Sequence, residues 1–236
     1  MGFKLRGYTR EVPQEKVRDY SLFAIATEGT EREPDYFKLF DGIDRIKVDI
    51  IEPEVSDGQE ESEKRKASSP SKVLEKVRAY ISENQLSADD GDSLWCVIDV
   101  DRWPQEQIEE LYMFCAQKKN WHLVISNPCI EIWLLYHKLC DLSKLGILTA
   151  KDAKQALDKL EKGGYYYIKY LPLMLNAIEN ARKADANPDG YMPEDLQTKV
   201  YMLGQALYER MGKVRFDKFV ASLPSIEKDI LRHTKG

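Results

Sequence analysis

The sequence predicts an α/β fold in which a small parallel sheet is flanked by helices. Three short apolar segments, at residues 22–26, 94–98 and 122–125, are continuous rather than alternating, which is typical of strands buried on both faces. The segments between them carry apolar residues at helical spacing, so strands and helices alternate along the chain. After about residue 141 no further strand pattern follows, and we expect a C-terminal helical extension that packs on the core.

Each predicted strand has its own pattern. An apolar run predicts the first strand at 22–27, and an alternating segment that turns apolar at its end predicts an outer strand at 46–51. The two later apolar runs predict strands at 94–99 and 121–126.

Proline residues mark the starts of most predicted helices between the strands, because proline is favoured in the first turn of a helix. These helices are expected at 33–40, from Pro70, from Pro104 and from Pro128. In the C-terminal part, further helices are predicted at 150–161, 171–186, 194–211 and 214–220.

The length and composition suit one domain with an appendage. The chain has 236 residues, of which 43% are hydrophobic, an ordinary balance for a protein with a real core. We divide it into an N-terminal arm at 1–20, a core at 21–140 and a helical extension at 141–236. Residues 53–70 are rich in Glu, Ser and Lys, and they predict a mobile loop.

The charge is acidic and uneven. The net charge is −5, so no global basic field attracts nucleic acid. Residues 1–143 carry a net charge of −9 and residues 144–236 a net charge of +4, which indicates either a mildly basic C-terminal surface or ordinary solvated faces. The four cysteines include no C-x-x-C pair and predict buried free thiols. No apolar run approaches the roughly 20 residues of a membrane span, and we expect a soluble, cytoplasmic protein.

Carboxylates follow two of the predicted strands at the point where each strand ends. Glu28 follows the first strand, and Asp99 and Asp101 end a later one. The carboxyl ends of parallel strands meet at one edge of the sheet, and residues i and i+2 of an extended chain share a face. An all-carboxylate set suits Mg²⁺ or Mn²⁺, and such a site favours phosphoryl chemistry. The alternative for an isolated D-x-D is the solvated end of a surface strand.

Other residues have both a functional and a structural interpretation. Glu131 lies in an otherwise apolar helix, as a further metal ligand or as a favourable first-turn acid. Glu33 is either a first-turn helix residue or a neighbour of the ligands. Lys169 either neutralises charge in a transition state or is a solvated lysine. His137 is more typical of a hydrogen-bonded core or surface histidine.

One more feature predicts phosphate contact. Ser126 and Asn127 precede Pro128, where the amides at the start of a helix can cradle a phosphate if they are exposed.

Three segments together resemble the RloB family. Residues 25–37 are similar to its E-G-x-x-T-E-x-x-Y-F motif, and residues 99–101 fit its D-x-D motif. Residues 126–137 fit its S-N-P-C-F-E-x-W-L-L-x-H signature, which is the most specific of the three, and the similarity spans about residues 20–210. Arg32 replaces the usual Thr and Ile130 the usual Phe. We expect neither to touch a proposed ligand, although Arg32 could alter phosphate contact.

The resemblance implies a Toprim-like fold at 21–140 and a metal site formed by Glu28, Asp99 and Asp101, with Glu131 as a fourth ligand. It further implies a prokaryotic antiviral defence protein, of the restriction or abortive-infection type, with an ABC-type ATPase as a partner. By analogy with other Toprim nucleases, the reaction would be Mg²⁺- or Mn²⁺-dependent cleavage of DNA or RNA, with Lys169 among the catalytic residues. The resemblance leaves homo-oligomerisation open.

Two alternatives remain. The chain can instead be a non-catalytic nucleic-acid-binding or regulatory subunit of an ABC-type ATPase defence complex. Haloacid-dehalogenase phosphatases and metal-dependent glycosyltransferases also use D-x-D. The phosphatases carry the motif on their first strand, however, and no nucleotide-sugar pocket can be identified in this sequence.

Overall fold

A computed structural model describes residues 20–29, 32–43, 45–53, 68–89, 91–100, 103–161 and 167–233, with side chains as far as Ile226. The predicted arm at 1–20, apart from its last residue, and most of the predicted loop at 53–70 lie outside these ranges, as does Asp101.

The described residues form a four-stranded parallel sheet in the order β2-β1-β3-β4. The strands agree with the sequence prediction to within one residue: β1 is Ser21–Thr27, β2 is Ile46–Ile51, β3 is Ser93–Asp99 and β4 is Trp121–Ser126. The chain runs outward from β1 to β2 on one side and from β3 to β4 on the other. The central β1–β3 pair is therefore the switch point of the sheet, the place where open parallel sheets bind ligands.

Helices flank the sheet and then continue as a C-terminal extension, which confirms the predicted fold class. Short 3-10 turns at Ser143–Leu145, Tyr167–Lys169 and Leu171–Leu173 join some of them. The α-helices of the described residues are α1 Arg32–Lys38, α2 Pro70–Glu83, α3 Gln105–Cys115, α4 Glu131–Tyr136, α5 Ala150–Leu160, α6 Met174–Ala184, α7 Val200–Met211 and α8 Lys213–His233.

Both faces of the sheet are buried at its central strands, which explains why β1 and β3 are continuously apolar. Phe23 and Ile25 of β1 face a core shared with α1, α4 and the C-terminal helices. Ala24 and Ala26 face a second core, formed with α2 and α3. Successive side chains of a strand point to opposite faces, so every residue of β1 needs to be small or apolar. The same packing leaves the carboxyl edge of the sheet as the place for polar chemistry.

The helix predictions need three corrections. Helix α4 begins at Glu131 rather than at Pro128, whose peptide bond with Asn127 is cis. Residues 194–199 are not helical: Thr198 forms an antiparallel bridge with Ser126, so this backbone pairs with β4 instead. The last helix continues to His233 rather than ending at residue 220.

The local sequence pattern predicts the wrong helix bounds at two of these places because contacts with other parts of the chain determine the structure there. The backbone N–H of Lys199 donates to the Ile125 carbonyl at 2.7 Å, which draws this segment onto the end of β4. The last helix buries Phe216, Phe219 and Leu223 at helical spacing, so its apolar face extends past residue 220. Among the described helices, none has both the length and the apolar character that a membrane span requires.

Candidate metal centre

Glu28 and Asp99 lie side by side at the carboxyl edge of the two central strands. The register pairs Thr27 with Val97, so Glu28 comes directly after the last paired residue of β1, and Asp99, two residues after Val97, is the last residue of β3. The Glu28 N–H donates to the Val97 carbonyl at 3.2 Å, and the Asp99 N–H donates to Oε2 of Glu28 at 3.0 Å. The two strand-end residues that the sequence predicts as ligands are thus neighbours, one 8% exposed and the other half-buried.

Glu131 reaches the same region from the first turn of α4. Its side chain is 1% exposed, and its Oε1 contacts Nη1 of Arg32, the first residue of α1. Burial raises the pKa of the nearby Cys129 thiol well above its usual range, and the negative charges of Glu131 and Asp99 raise it further. Both carboxylates therefore lie within electrostatic reach of one thiol.

One carboxylate oxygen of Glu131 has no hydrogen-bond partner. Oε2 of Glu131 is fully buried and makes no hydrogen bond. The nearby Cys129 thiol has only one hydrogen to donate, and it donates that hydrogen to the Ala150 carbonyl at 3.8 Å, so it has none left for Oε2. A buried carboxylate oxygen without a donor costs free energy, and a cation beside it would offset that cost.

Glu33 adds a second buried carboxylate next to Glu131. Burial raises the pKa of Glu33 to about 6, with a contribution from the negative charge of Glu131, while Arg32 and Lys154 act in the opposite direction. A Cβ at Gly29 would overlap the Glu33 carboxylate, so a larger residue after Glu28 would force that carboxylate to shift. Glu33 lies in the first turn of α1 and also near Glu131, so both interpretations of this residue fit the structure.

The donor chemistry fits a hard divalent cation. Glu28, Asp99 and Glu131 offer only carboxylate oxygens, the ligands that Mg²⁺ and Mn²⁺ take, and the bare oxygen of Glu131 leaves a position for one. Within the described ranges, no three acidic, histidine or cysteine side chains already form a metal-binding group. A cation would therefore have to draw these carboxylates together, and Asp101 lies outside the described residues.

Lys169 lies in the exposed end of the 3-10 turn Tyr167–Lys169. Its charge contributes to lowering the pKa of Glu161, although burial of Glu161 opposes this. Glu161 also accepts a hydrogen bond from Tyr170 at 2.8 Å and contacts Nζ of Lys138. These contacts place Lys169 beside a second acidic group, and its catalytic role stays a prediction.

His137 has a structural role. Its Nδ1 lies 3.0 Å from the Trp133 carbonyl, which can only accept, so Nδ1 carries the proton and Nε2 accepts from the Tyr36 hydroxyl at 2.9 Å. Burial lowers the pKa of His137 to about 3 and keeps the ring neutral. This contact ties α1 to α4, the two helices that carry Arg32 and Glu131.

The predicted phosphate cradle at Ser126 and Asn127 is wrong. Ser126 is fully buried, and its hydroxyl bonds to that of Thr198 at 2.8 Å. The Asn127 N–H donates to the Gln197 carbonyl at 2.9 Å, and α4 begins only at Glu131. The amides are covered by a segment some 70 residues further along the chain, which no local pattern reveals.

Sequence reasoning also missed two ion pairs that involve buried carboxylates. One is Arg32 with Glu131, so the expectation that Arg32 touches no proposed ligand is wrong. The other is Lys199, whose Nζ lies 2.7 and 2.6 Å from the two oxygens of Asp185, while the Tyr201 hydroxyl donates to the same carboxylate at 2.8 Å. This pair holds the segment that covers β4. The sequence does not say which of these charges meet.

The comparison with protein families found a match. A family model described as RloB-like protein matches residues 23–207, which is well over half of the chain. The matched range contains Glu28, Asp99, Asp101, Glu131 and Lys169. Searches of the curated proteins and of the solved structures found no match.

Proposed function

The chain belongs to the RloB-like protein family, and from this premise we propose that it is a metal-dependent nuclease that hydrolyses phosphodiester bonds of DNA or RNA in prokaryotic anti-phage defence. The observation that carries the proposal is the carboxylate-lined edge at the switch point of the sheet. There Glu28 and Asp99 are neighbours, and the buried Glu131 has one oxygen without a partner.

The residues that would hold the metal are Glu28, Asp99, Asp101 and Glu131. When bound, Mg²⁺ or Mn²⁺ would supply an activated water and neutralise charge that develops on the phosphate. The chain's own contribution is to bring acids from two strands and one helix to one edge. Its helices cover both faces of the sheet, so a nucleic acid would approach along that edge.

The surrounding cations have separate tasks in this proposal. Arg32 balances the buried charges of Glu131 and Glu33. Lys169 is the candidate for neutralising charge on the phosphate in the transition state, as an exposed side chain that a bound substrate would have to draw inward.

The test is a cleavage assay with matched variants. Wild-type protein, Asp99→Asn and Glu110→Gln are incubated with plasmid, single-stranded DNA and total tRNA, in Mg²⁺, in Mn²⁺ and in EDTA. Glu110 is an exposed carboxylate of α3, so its variant controls for charge alone. We expect metal-dependent cleavage by wild type and Glu110→Gln, and a loss of at least about 100-fold in Asp99→Asn. Cleavage in EDTA, or undiminished cleavage by Asp99→Asn, would contradict the proposal.

The acidic balance favours a second candidate, a non-catalytic nucleic-acid-binding or regulatory subunit of an ABC-type ATPase complex. With a net charge of −5, the chain has no overall basic field of the kind that attracts nucleic acid to a free-standing nuclease. This candidate predicts metal binding without cleavage of any of the three substrates. It also predicts that such cleavage stays absent when the ATPase partner is added.

A further inference from the structure

We propose that Arg32 is a positioning residue for the metal site: it binds Oε1 of Glu131 and so leaves Oε2 as the oxygen that meets the cation. The inference rests on the proposed metal site and assigns to Arg32 a function that acts through Glu131 rather than on the substrate.

The geometry gives each oxygen of Glu131 a different environment. Oε1 contacts the guanidinium of Arg32, whereas Oε2 is buried and makes no hydrogen bond. Carboxylates that bind metals are themselves held by hydrogen bonds, which fix their orientation. The pair joins residues 99 positions apart, the first residues of α1 and α4, so the contact also fixes where the two helices begin relative to each other.

Electrostatics explains why a cation is needed at this position. Glu131 is 1% exposed and lies near Glu33, a second buried carboxylate. A buried carboxylate that loses its cation faces a large desolvation cost, which favours a side-chain orientation turned away from the site. That response would withdraw the ligand oxygen. The guanidinium stays charged at any ordinary pH, so Arg32 supplies Glu131 with a permanent cation before the metal arrives.

The two helices hold this arrangement rigidly. Tyr36 lies one turn after Arg32 on α1, and its hydroxyl bonds to His137 at the end of α4 at 2.9 Å. The ring of Tyr36 also packs edge-on against Trp133, with centroids 6.4 Å apart. Arg32 and Glu131 are therefore presented to each other by packed elements rather than by loops.

The test measures metal affinity rather than activity. Mn²⁺ is titrated calorimetrically into the full chain as wild type, Arg32→Gln, Arg32→Lys, Glu131→Gln and the double variant Arg32→Gln/Glu131→Gln. Lys38→Gln is the control, because it removes an exposed cation from the same helix. Unfolding in EDTA, followed by circular dichroism, checks that each variant folds.

We expect Arg32→Gln to weaken Mn²⁺ binding by about tenfold or more, in the range seen when outer partners of metal ligands are removed. The Mn²⁺ affinity of Arg32→Lys should lie between the affinities of Arg32→Gln and wild type, because lysine restores the charge but not the planar guanidinium. The double variant should bind no more weakly than Glu131→Gln alone, because Arg32 acts through Glu131.

The outcomes separate this proposal from the proposed function. If wild type binds Mn²⁺ and Arg32→Gln binds it equally well or more tightly, Arg32 does not position Glu131, and the metal site stands. If wild type binds no Mn²⁺, the metal site itself fails and the role of Arg32 with it. If Arg32→Gln does not fold, Arg32→Lys decides: a folded variant with weakened Mn²⁺ binding supports the role, and one with wild-type affinity overturns it.

Discussion

Two buried carboxylates in this protein differ in how their hydrogen bonds are completed. Asp185 accepts from Nζ of Lys199 at both oxygens and from the Tyr201 hydroxyl at one of them. Glu131 is equally buried, but its cation contacts only Oε1, and Oε2 has no partner. The Asp185 carboxylate is saturated, and the Glu131 carboxylate is not.

The difference separates a structural ion pair from a candidate site. A buried charge whose hydrogen bonds are complete fixes the chain around it, as Asp185 and Lys199 fix the segment that covers β4. A buried charge with a bare oxygen costs free energy in the isolated protein, and such a cost persists where a ligand can offset it. The unsaturated group lies at the switch point of the sheet, and the saturated one lies beyond its β4 edge.

The largest expected effect comes from breaking the saturated pair. Lys199→Met leaves Asp185 buried without its cation, and we expect the free energy of unfolding to fall by about 3–5 kcal/mol. Urea titration in EDTA measures it. The double variant Lys199→Met/Asp185→Leu should recover much of the loss, because no unpaired charge remains. A loss below about 1 kcal/mol in the single variant would show that the pair does not fix the segment.

A smaller effect on stability is expected from the protonation of His137, whose hydrogen bond with Tyr36 connects α1 to α4. The pKa of His137 is about 3 in the folded protein, against about 6.5 when unfolded, so only the unfolded state binds the proton between those values. Stability should therefore fall as the pH drops below 6.5, by about 1.4 kcal/mol per pH unit from this group.

The pH dependence of stability can be assigned to His137 only if a variant without this histidine shows a smaller dependence. Glu33, whose folded pKa is raised to about 6, acts in the opposite direction between pH 6 and 4.5, and comparison at the same pH cancels its contribution. Unfolding of wild type and His137→Gln is measured at pH 7 and pH 5 in EDTA. Equal pH dependence in the two proteins would contradict a neutral, buried His137.

The smallest effect on stability is expected at Glu131, whose carboxylate has one oxygen without a hydrogen-bond partner. Glu131→Gln removes the bare oxygen's charge and the repulsion of Glu33 but also weakens the contact with Arg32. We therefore expect the free energy of unfolding in EDTA to change by less than about 1 kcal/mol. In saturating Mn²⁺, wild type should gain stability, about 2.7 kcal/mol at a hundred times the dissociation constant, and Glu131→Gln should gain less. A loss in EDTA as large as that of Lys199→Met would remove the distinction between the two carboxylates.

The sequence was sufficient wherever burial or local chemistry leaves a repeating pattern. Three strands follow from continuous apolar runs, because a strand buried on both faces admits few polar residues, and β2 follows from its alternating pattern. The meeting of Glu28 and Asp99 follows from their positions directly after neighbouring parallel strands.

The rest depends on contacts that no local pattern encodes. Arg32 meets Glu131 across 99 positions, and Thr198 covers Ser126 across 72. The segment 194–199 has a helical pattern, yet its backbone pairs with β4, since tertiary hydrogen bonds outweigh weak helix propensity. Which oxygen of Glu131 remains bare is likewise a property of the packed helices.

The most direct test of the metal site is anomalous diffraction from crystals soaked in Mn²⁺. The account predicts one strong peak at the carboxyl edge between β1 and β3, about 2.0–2.2 Å from Oε2 of Glu131, with Glu28 and Asp99 oxygens in the same coordination shell. A peak elsewhere, or a soaked crystal in which Oε2 of Glu131 still has no partner, would contradict it.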